Sequence, residues 1–181
     1  MSTHVKASDT KVTVEKSQED LLKILRRYGA RSFGFDESPD GQEASVSFRI
    51  THGGRDLPVM LRVEVDAVYR ALYDGQPPRF RGKDRRPAWR EQAKRTAWRL
   101  LVDWLDAACS TTAVGVQSVE EVFLAHVVVR DERGQPTRMI EALHELQAGG
   151  ALPLALPAGG GGGARRRGGG GASANRAAAP G

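Results

Sequence analysis

Between residues 33 and 65, apolar and polar side chains alternate with a period of two, the pattern of strands that bury one face. Two turn-forming sequences, Ser-Pro-Asp-Gly at 38–41 and His-Gly-Gly-Arg at 52–55, divide the alternation into three stretches. The apolar positions are Phe33, Phe35, Val46, Phe48, Ile50, Val59, Leu61, Val63 and Val65. The sequence therefore predicts an antiparallel meander of three strands with one apolar face.

Helical spacing of apolar residues flanks this predicted sheet on both sides. Before it, residues 17–28 form a short amphipathic stretch, with Ser17 as the expected N-cap and Gly29 as the stop. After it, Pro87 opens a helix of about twenty residues whose apolar stripe would cover the sheet. The stripe consists of Trp89, Ala93, Ala97, Leu100, Leu101, Trp104, Leu105 and Ala108. Trp104 lies in the middle of the stripe, so we expect it to be buried.

Shorter elements complete the predicted fold. Residues 12–14 suit an N-terminal arm or a short strand, and Asp66 could cap a short helix that ends near residue 74. A capping box at Ser118 and Glu121 predicts another short helix, followed by a strand at 127–129 and a last helix at 137–148. The predicted class is α+β: helix, three-stranded antiparallel meander, long amphipathic covering helix and short helical C-terminal part.

Composition changes abruptly at about residue 149. Residues 149–181 hold twelve of the chain's 21 glycines and no acidic residue. Such a segment buries too little apolar surface to offset the entropy of ordering, so we expect a disordered Gly/Ala/Arg-rich tail. The predicted organisation is an N-terminal arm or short strand at 1–14, a single α+β domain at 15–148 and the tail at 149–181.

The net charge of +5 is unevenly distributed. Four arginines lie in the tail, which leaves 23 basic and 22 acidic residues in the remainder. Within that remainder, residues 79–99 carry nine basic and two acidic side chains. The chain outside the tail is therefore nearly neutral as a whole, but it divides into a basic segment with a net charge of +7, which leads into the long helix, and a remainder with a net charge of −6.

This basic segment is the candidate binding site. Arginine and lysine contact phosphates, and aromatic residues such as Phe80 or Trp89 stack on bases. The candidate residues for nonspecific contact with DNA or RNA are Arg79, Phe80, Arg81, Lys83, Arg85, Arg86, Arg90 and Lys94. Two alternatives remain open. The segment could dock an acidic protein, or it could be a solvated loop anchored by Phe80, with Trp89 and Trp104 in the core.

No motif for chemistry accompanies the basic segment. The four histidines lack ligand spacing, and one cysteine cannot complete a zinc site, so we expect no metal, no cofactor and no enzymatic activity. Cys109 follows apolar helical positions and is expected to be a small buried residue. The lone cysteine, with no leader-like or membrane-spanning apolar run, predicts a cytoplasmic protein without membrane contact.

Residues 85–129 combine a basic helix containing Ala-Trp-Arg-x-Leu with a following Ser-x-Glu-Glu-Val-Phe-Leu segment. The positions that carry this pattern are Lys94, Ala97, Trp98, Arg99, Leu100, Trp104, Leu105, Ala107, Val116, Ser118, Glu120, Glu121, Phe123 and Leu124. In this the stretch resembles small uncharacterised proteins from phages and prophages of high-GC bacteria. The similarity covers about residues 15 to 148. It implies a phage-type accessory protein and no particular activity. The α-β-β-β-α order also occurs in double-stranded-RNA-binding domains, although the signature of that module is not present.

Overall fold

A computed structural model of the protein describes residues 5–74, 79, 82, 85–131 and 133–149. In chain order the helices are α1 (Val14–Arg27), α2 (Val65–Asp74), α3 (Arg86–Ala113), α4 (Val119–Phe123) and α5 (Met139–Ala148). The strands are β1 (Arg31–Glu37), β2 (Glu43–His52), β3 (Arg55–Glu64), β4 (Val128–Arg130) and β5 (Pro136–Arg138). This arrangement confirms the α+β class and the three-stranded meander. The predicted tail lies outside the described residues, from 150 onward.

α1 begins earlier than the sequence predicted. The N-cap is Thr13, whose side chain accepts a hydrogen bond from the Lys16 amide. Ser17 is buried inside the helix, and its hydroxyl donates to the Thr13 carbonyl at 3.1 Å. The prediction of Ser17 as N-cap and the alternative of a strand at 12–14 are therefore wrong, because the helix takes Val14 into its first turn. Its end is as predicted, with Gly29 at a φ of 74°.

The sheet has the order β1-β2-β3 and is antiparallel throughout. Its register pairs Val46 with Leu61 and Phe48 with Val59, so their side chains point to one face and are buried. The pairing of β1 with β2 is irregular between Arg31 and Gly34, where β1 holds one extra residue. The buried face of the sheet and the helices that cover it share one hydrophobic core.

α3 packs against α1, α2 and the sheet. Because it has neighbours on several sides, it is buried over a broad arc, and it runs for 28 residues instead of about twenty. Trp98 is completely buried, whereas Trp104 is 39% exposed and lies edge-on to Phe123 and His126. The prediction that Trp104 occupies the core is therefore wrong. Trp98 fills that position.

The C-terminal part begins with α4, whose Ser118–Glu121 capping box is confirmed. A strand was expected at 127–129 and a helix at 137–148, but residues 136–138 form a strand that pairs with β4. This hairpin adjoins the sheet through a bridge between Val59 and Val127. None of the described residues after Phe123 is buried, so this part has no core of its own.

Within the part of the chain that the structure describes, no helix is long and apolar enough to cross a membrane.

Candidate functional site

The basic segment is described in part. Phe80, Arg81 and Lys83 lie outside the described residues. Arg79, Arg85, Arg86 and Arg90 are exposed, while Lys94 is half-buried. The structure thus brings Arg85, Arg86 and Arg90 together at the start of α3.

The start of α3 has an unusual charge for a helix N-terminus. Arg85 is the N-cap residue and forms no side-chain capping hydrogen bond, and the first turn contains no acidic residue. The amide dipoles give this end of a helix a partial positive charge, so each cation there typically costs about 0.3–1 kcal/mol. Arg86 is therefore unfavourable for the helix itself, whereas an anion bound there would be stabilised by both the dipole and the arginines.

Two stacked tyrosines of α2 lie at this end of α3, and one of them contacts Arg90. The Tyr69 and Tyr73 rings stack with their centroids 5.4 Å apart and an interplanar angle of 15°. The Arg90 guanidinium carbon lies 4.9 Å from the centroid of the Tyr69 ring. Both rings are half-buried. We call the region formed by Tyr69, Tyr73, Arg86 and Arg90 the α2–α3 surface.

The Asp66 carboxylate partly neutralises the positive charge of this surface. Asp66 Oδ2 lies 3.0 Å from Arg70 Nε, in the next turn of α2, and Asp66 Oδ1 lies 3.9 Å from Arg90 Nη2. The carboxylate is thus shared, with its shorter contact to Arg70. Arg90 keeps 57% of its side-chain surface exposed and can reach a ligand.

Lys94 has a structural partner. Its Nζ lies 2.7 Å from Glu37 Oε2 at the end of β1. The other Glu37 oxygen accepts a hydrogen bond of 3.2 Å from the Trp98 indole. Glu37 therefore joins β1 to two turns of α3, and this contact holds Lys94 away from the exposed arginines.

The last two basic residues of the segment also make internal contacts. Arg95 donates to the Gln92 side chain at 2.8 Å, and Gln92 in turn donates to the carbonyls of Ser8 and Thr10. Arg99 contacts Asp20 of α1 at 3.3 Å and Asp103 at 3.5 Å. Among its described residues, the basic segment therefore divides into the exposed arginines up to Arg90 and a C-terminal half, from Lys94 to Arg99, that joins α3 to the rest of the domain.

The described residues contain no group of three or more His, Cys, Asp or Glu side chains that could hold a metal ion. His52 pairs with Glu120 of α4 at 2.6 Å, which ties the β2–β3 turn to that helix. Cys109 is buried as expected, and burial, together with Asp106, raises the pKa of its thiol to about 11. A thiol with this pKa is protonated at neutral pH and is a poor nucleophile.

Sequence reasoning missed the two tyrosines of the α2–α3 surface. Their spacing of four residues on a short helix places them on one face, and that signal was available. Their position beside Arg90 depends on how α2 packs against α3, which residue spacing within either helix does not encode. Trp89, considered as a stacking residue, is half-buried near the same end of α3.

The chain matches no protein-family model, no curated protein and no solved structure.

Proposed function

We propose that this protein is a phage-type accessory protein that binds nucleic acid nonspecifically through the α2–α3 surface. The observation that carries the proposal is the Arg90 guanidinium over the Tyr69 ring, with Tyr73 stacked beside it. The resemblance of residues 85–129 to phage and prophage proteins supports the accessory role. Arg85 and Arg86, in the turn of α3 before Arg90, are exposed and add positive charge to this surface, and Arg79 is a further exposed arginine earlier in the basic segment.

The composition of the surface favours nucleic acid over other anions. Arginine contacts phosphate oxygens, and tyrosine can stack on a base, an interaction worth about 1–3 kcal/mol per base in single-strand sites. An acidic peptide would satisfy the arginines but would make no use of the aromatic rings. The unfavourable charge at the α3 N-terminus favours a bound anion, phosphate or carboxylate alike, so the choice of nucleic acid rests on the aromatic rings.

The test is a binding titration by fluorescence anisotropy with labelled single-stranded DNA, duplex DNA and single-stranded RNA at two salt concentrations. The double variant R86A/R90A should bind all three more weakly. Its single-strand salt slope should flatten by roughly 0.7 per lost phosphate contact, or about 1.4 in total. The charge-matched control R55A/R133A removes two exposed arginines elsewhere and should bind like the parent.

Two further probes separate nucleic-acid binding from docking of an acidic protein. Tyr69→Leu keeps an apolar side chain on α2, and it should weaken binding of single strands more than binding of duplex, since only unpaired bases can stack. Polyglutamate offers charge without bases, so it should compete poorly. If the parent binds none of the three nucleic acids near physiological salt, or binds polyglutamate equally well, the proposal is wrong.

A further inference from the structure

Two arginines face each other across the first two strands of the sheet. Arg31 of β1 is the register partner of Arg49 of β2, and both are exposed. Side chains directly opposite one another in an antiparallel pair project from the same face with Cβ atoms about 5 Å apart, and like charges in such pairs repel. The register therefore places two positive charges on adjacent strands, and no described acidic residue forms an ion pair with either.

The backbone at this point departs from regular strand geometry. β1 carries an extra residue between Arg31 and Gly34, and Ser32 has a φ of 55°. A serine in the left-handed region is strained, and a bulge of this kind re-aims the side chains around it. The pair of Arg31 and Arg49 thus lies directly beside this irregularity.

The surroundings add positive charge. Arg26 and Arg27 end α1 four residues before β1 begins, and both are exposed. From Arg49 to its end at His52, β2 contains no acidic residue. The next acidic residue along the chain is Asp56 of β3, whose Oδ1 accepts the Thr51 hydroxyl at 2.7 Å. We call Arg31 and Arg49, with Arg26 and Arg27, the β1–β2 basic patch.

The β1–β2 basic patch is remote from the α2–α3 surface. Tyr28 follows Arg27 in the chain, and its hydroxyl lies 3.4 Å from the hydroxyl of Ser110, near the end of α3. The α2–α3 surface lies at the start of α3. Residues 86 to 110 of a helix span roughly 36 Å at about 1.5 Å per residue, so the two regions lie at opposite ends of the domain.

We infer that the β1–β2 basic patch is a second phosphate-binding surface, which contacts the nucleic-acid backbone independently of the α2–α3 surface. This inference takes the class of ligand from the proposed function. The patch offers arginine without neighbouring aromatic rings, so it contacts phosphates and reads no bases. The protein would then hold one long nucleic acid at two points or bring two nucleic acids together.

Stoichiometry tests the inference. A hairpin duplex of about six base pairs is roughly 20 Å long and cannot span both regions. Isothermal titration calorimetry of the full chain at low salt should give two duplexes per parent protein and one per R31A/R49A variant. The R55A/R133A control should keep two. If R31A/R49A binds as many duplexes as the parent, or if the parent binds only one, the second surface does not exist.

The same titration separates the two proposals. R86A/R90A should bind one duplex, and if it binds two while R31A/R49A binds one, the α2–α3 surface fails and the β1–β2 basic patch stands. Melting temperature gives an independent check on a structural role. Removing a repulsive pair should leave the melting temperature of R31A/R49A unchanged or raise it, whereas a clear decrease would mean that the arginines support the fold.

Discussion

Trp98 holds the centre of α3 in the core, and its replacement by phenylalanine should destabilise the protein far more than the same change at Trp104. Trp98 is completely buried, its ring lies edge-on to Phe35 at 5.7 Å, and its indole nitrogen donates to Glu37 at 3.2 Å. Trp104 is 39% exposed. The two substitutions are chemically identical, so their difference reports the two environments.

The magnitude follows from what phenylalanine cannot replace. A hydrogen bond to a charged group contributes roughly 1.5–3 kcal/mol, and Trp98→Phe removes one to the Glu37 carboxylate while shrinking the buried ring. At Trp104 the change is a modest loss of apolar volume at the surface, for which under about 1.5 kcal/mol is expected. Trp98→Ala sets the upper limit at about 3–5 kcal/mol through the cavity it leaves.

Urea unfolding followed by far-UV circular dichroism measures the free energies of unfolding, provided that the slope against urea stays constant among variants. The expected order of stability is parent, Trp104→Phe, then Trp98→Phe. Should Trp98→Phe prove as stable as the parent, or Trp104→Phe the less stable of the two, the orientation of α3 described above would be incorrect.

Two more predictions concern single residues, Gly29 and Glu141. Gly29→Ala should lower the free energy of unfolding by about 1–2 kcal/mol, because an L residue is strained at its φ of 74° although no atom lies within 4 Å of an added Cβ. Gly82→Ala is the control, since it has the same open space without that φ, and its melting temperature should stay close to that of the parent while that of Gly29→Ala falls. For Glu141, burial acts to raise the pKa, but hydrogen bonds from Arg138 and Thr137 outweigh it and lower the pKa to about 2. The folded carboxylate has the lower pKa, so its contribution is complete above about pH 4.5 and disappears as the pH falls towards 2. Urea midpoints measured from pH 2 to 6 should therefore rise less steeply for Glu141→Gln than for the parent, and parallel curves would contradict this assignment.

The strands of the three-stranded sheet and most helix ends could be predicted from the sequence because the responsible signals are local. Alternation in β2 and β3, the Ser118 capping box and Gly29 each act within a few residues. The predicted start of α1 was wrong because Thr13 and Ser17 are both good capping residues. Which of them caps depends on whether Val14 packs in the core, and it does, with only 9% of its surface exposed.

The position of α3 and the candidate site depend on contacts between distant elements. Trp98 and Trp104 lie six residues apart and face different directions, and the spacing alone did not show which direction meets the core. The division of the basic segment has the same origin. In the sequence, Lys94 and Arg99 look no different from Arg86 and Arg90. In the structure, Lys94 forms an ion pair with Glu37 and Arg99 forms one with Asp20.

The outer edge of β3 is covered by a part of the chain that has little holding it in place. The bridge from Val59 to Val127, neighbouring contacts and the ion pair between Arg62 of β3 and Glu141 of α5 join this part to the sheet, and the described residues after Phe123 include no buried side chain. Segments with few buried contacts open at lower free energy than the core. On gentle warming, the amides of β4 and β5 should exchange with solvent first, leaving an unpaired strand edge open to pairing with another chain.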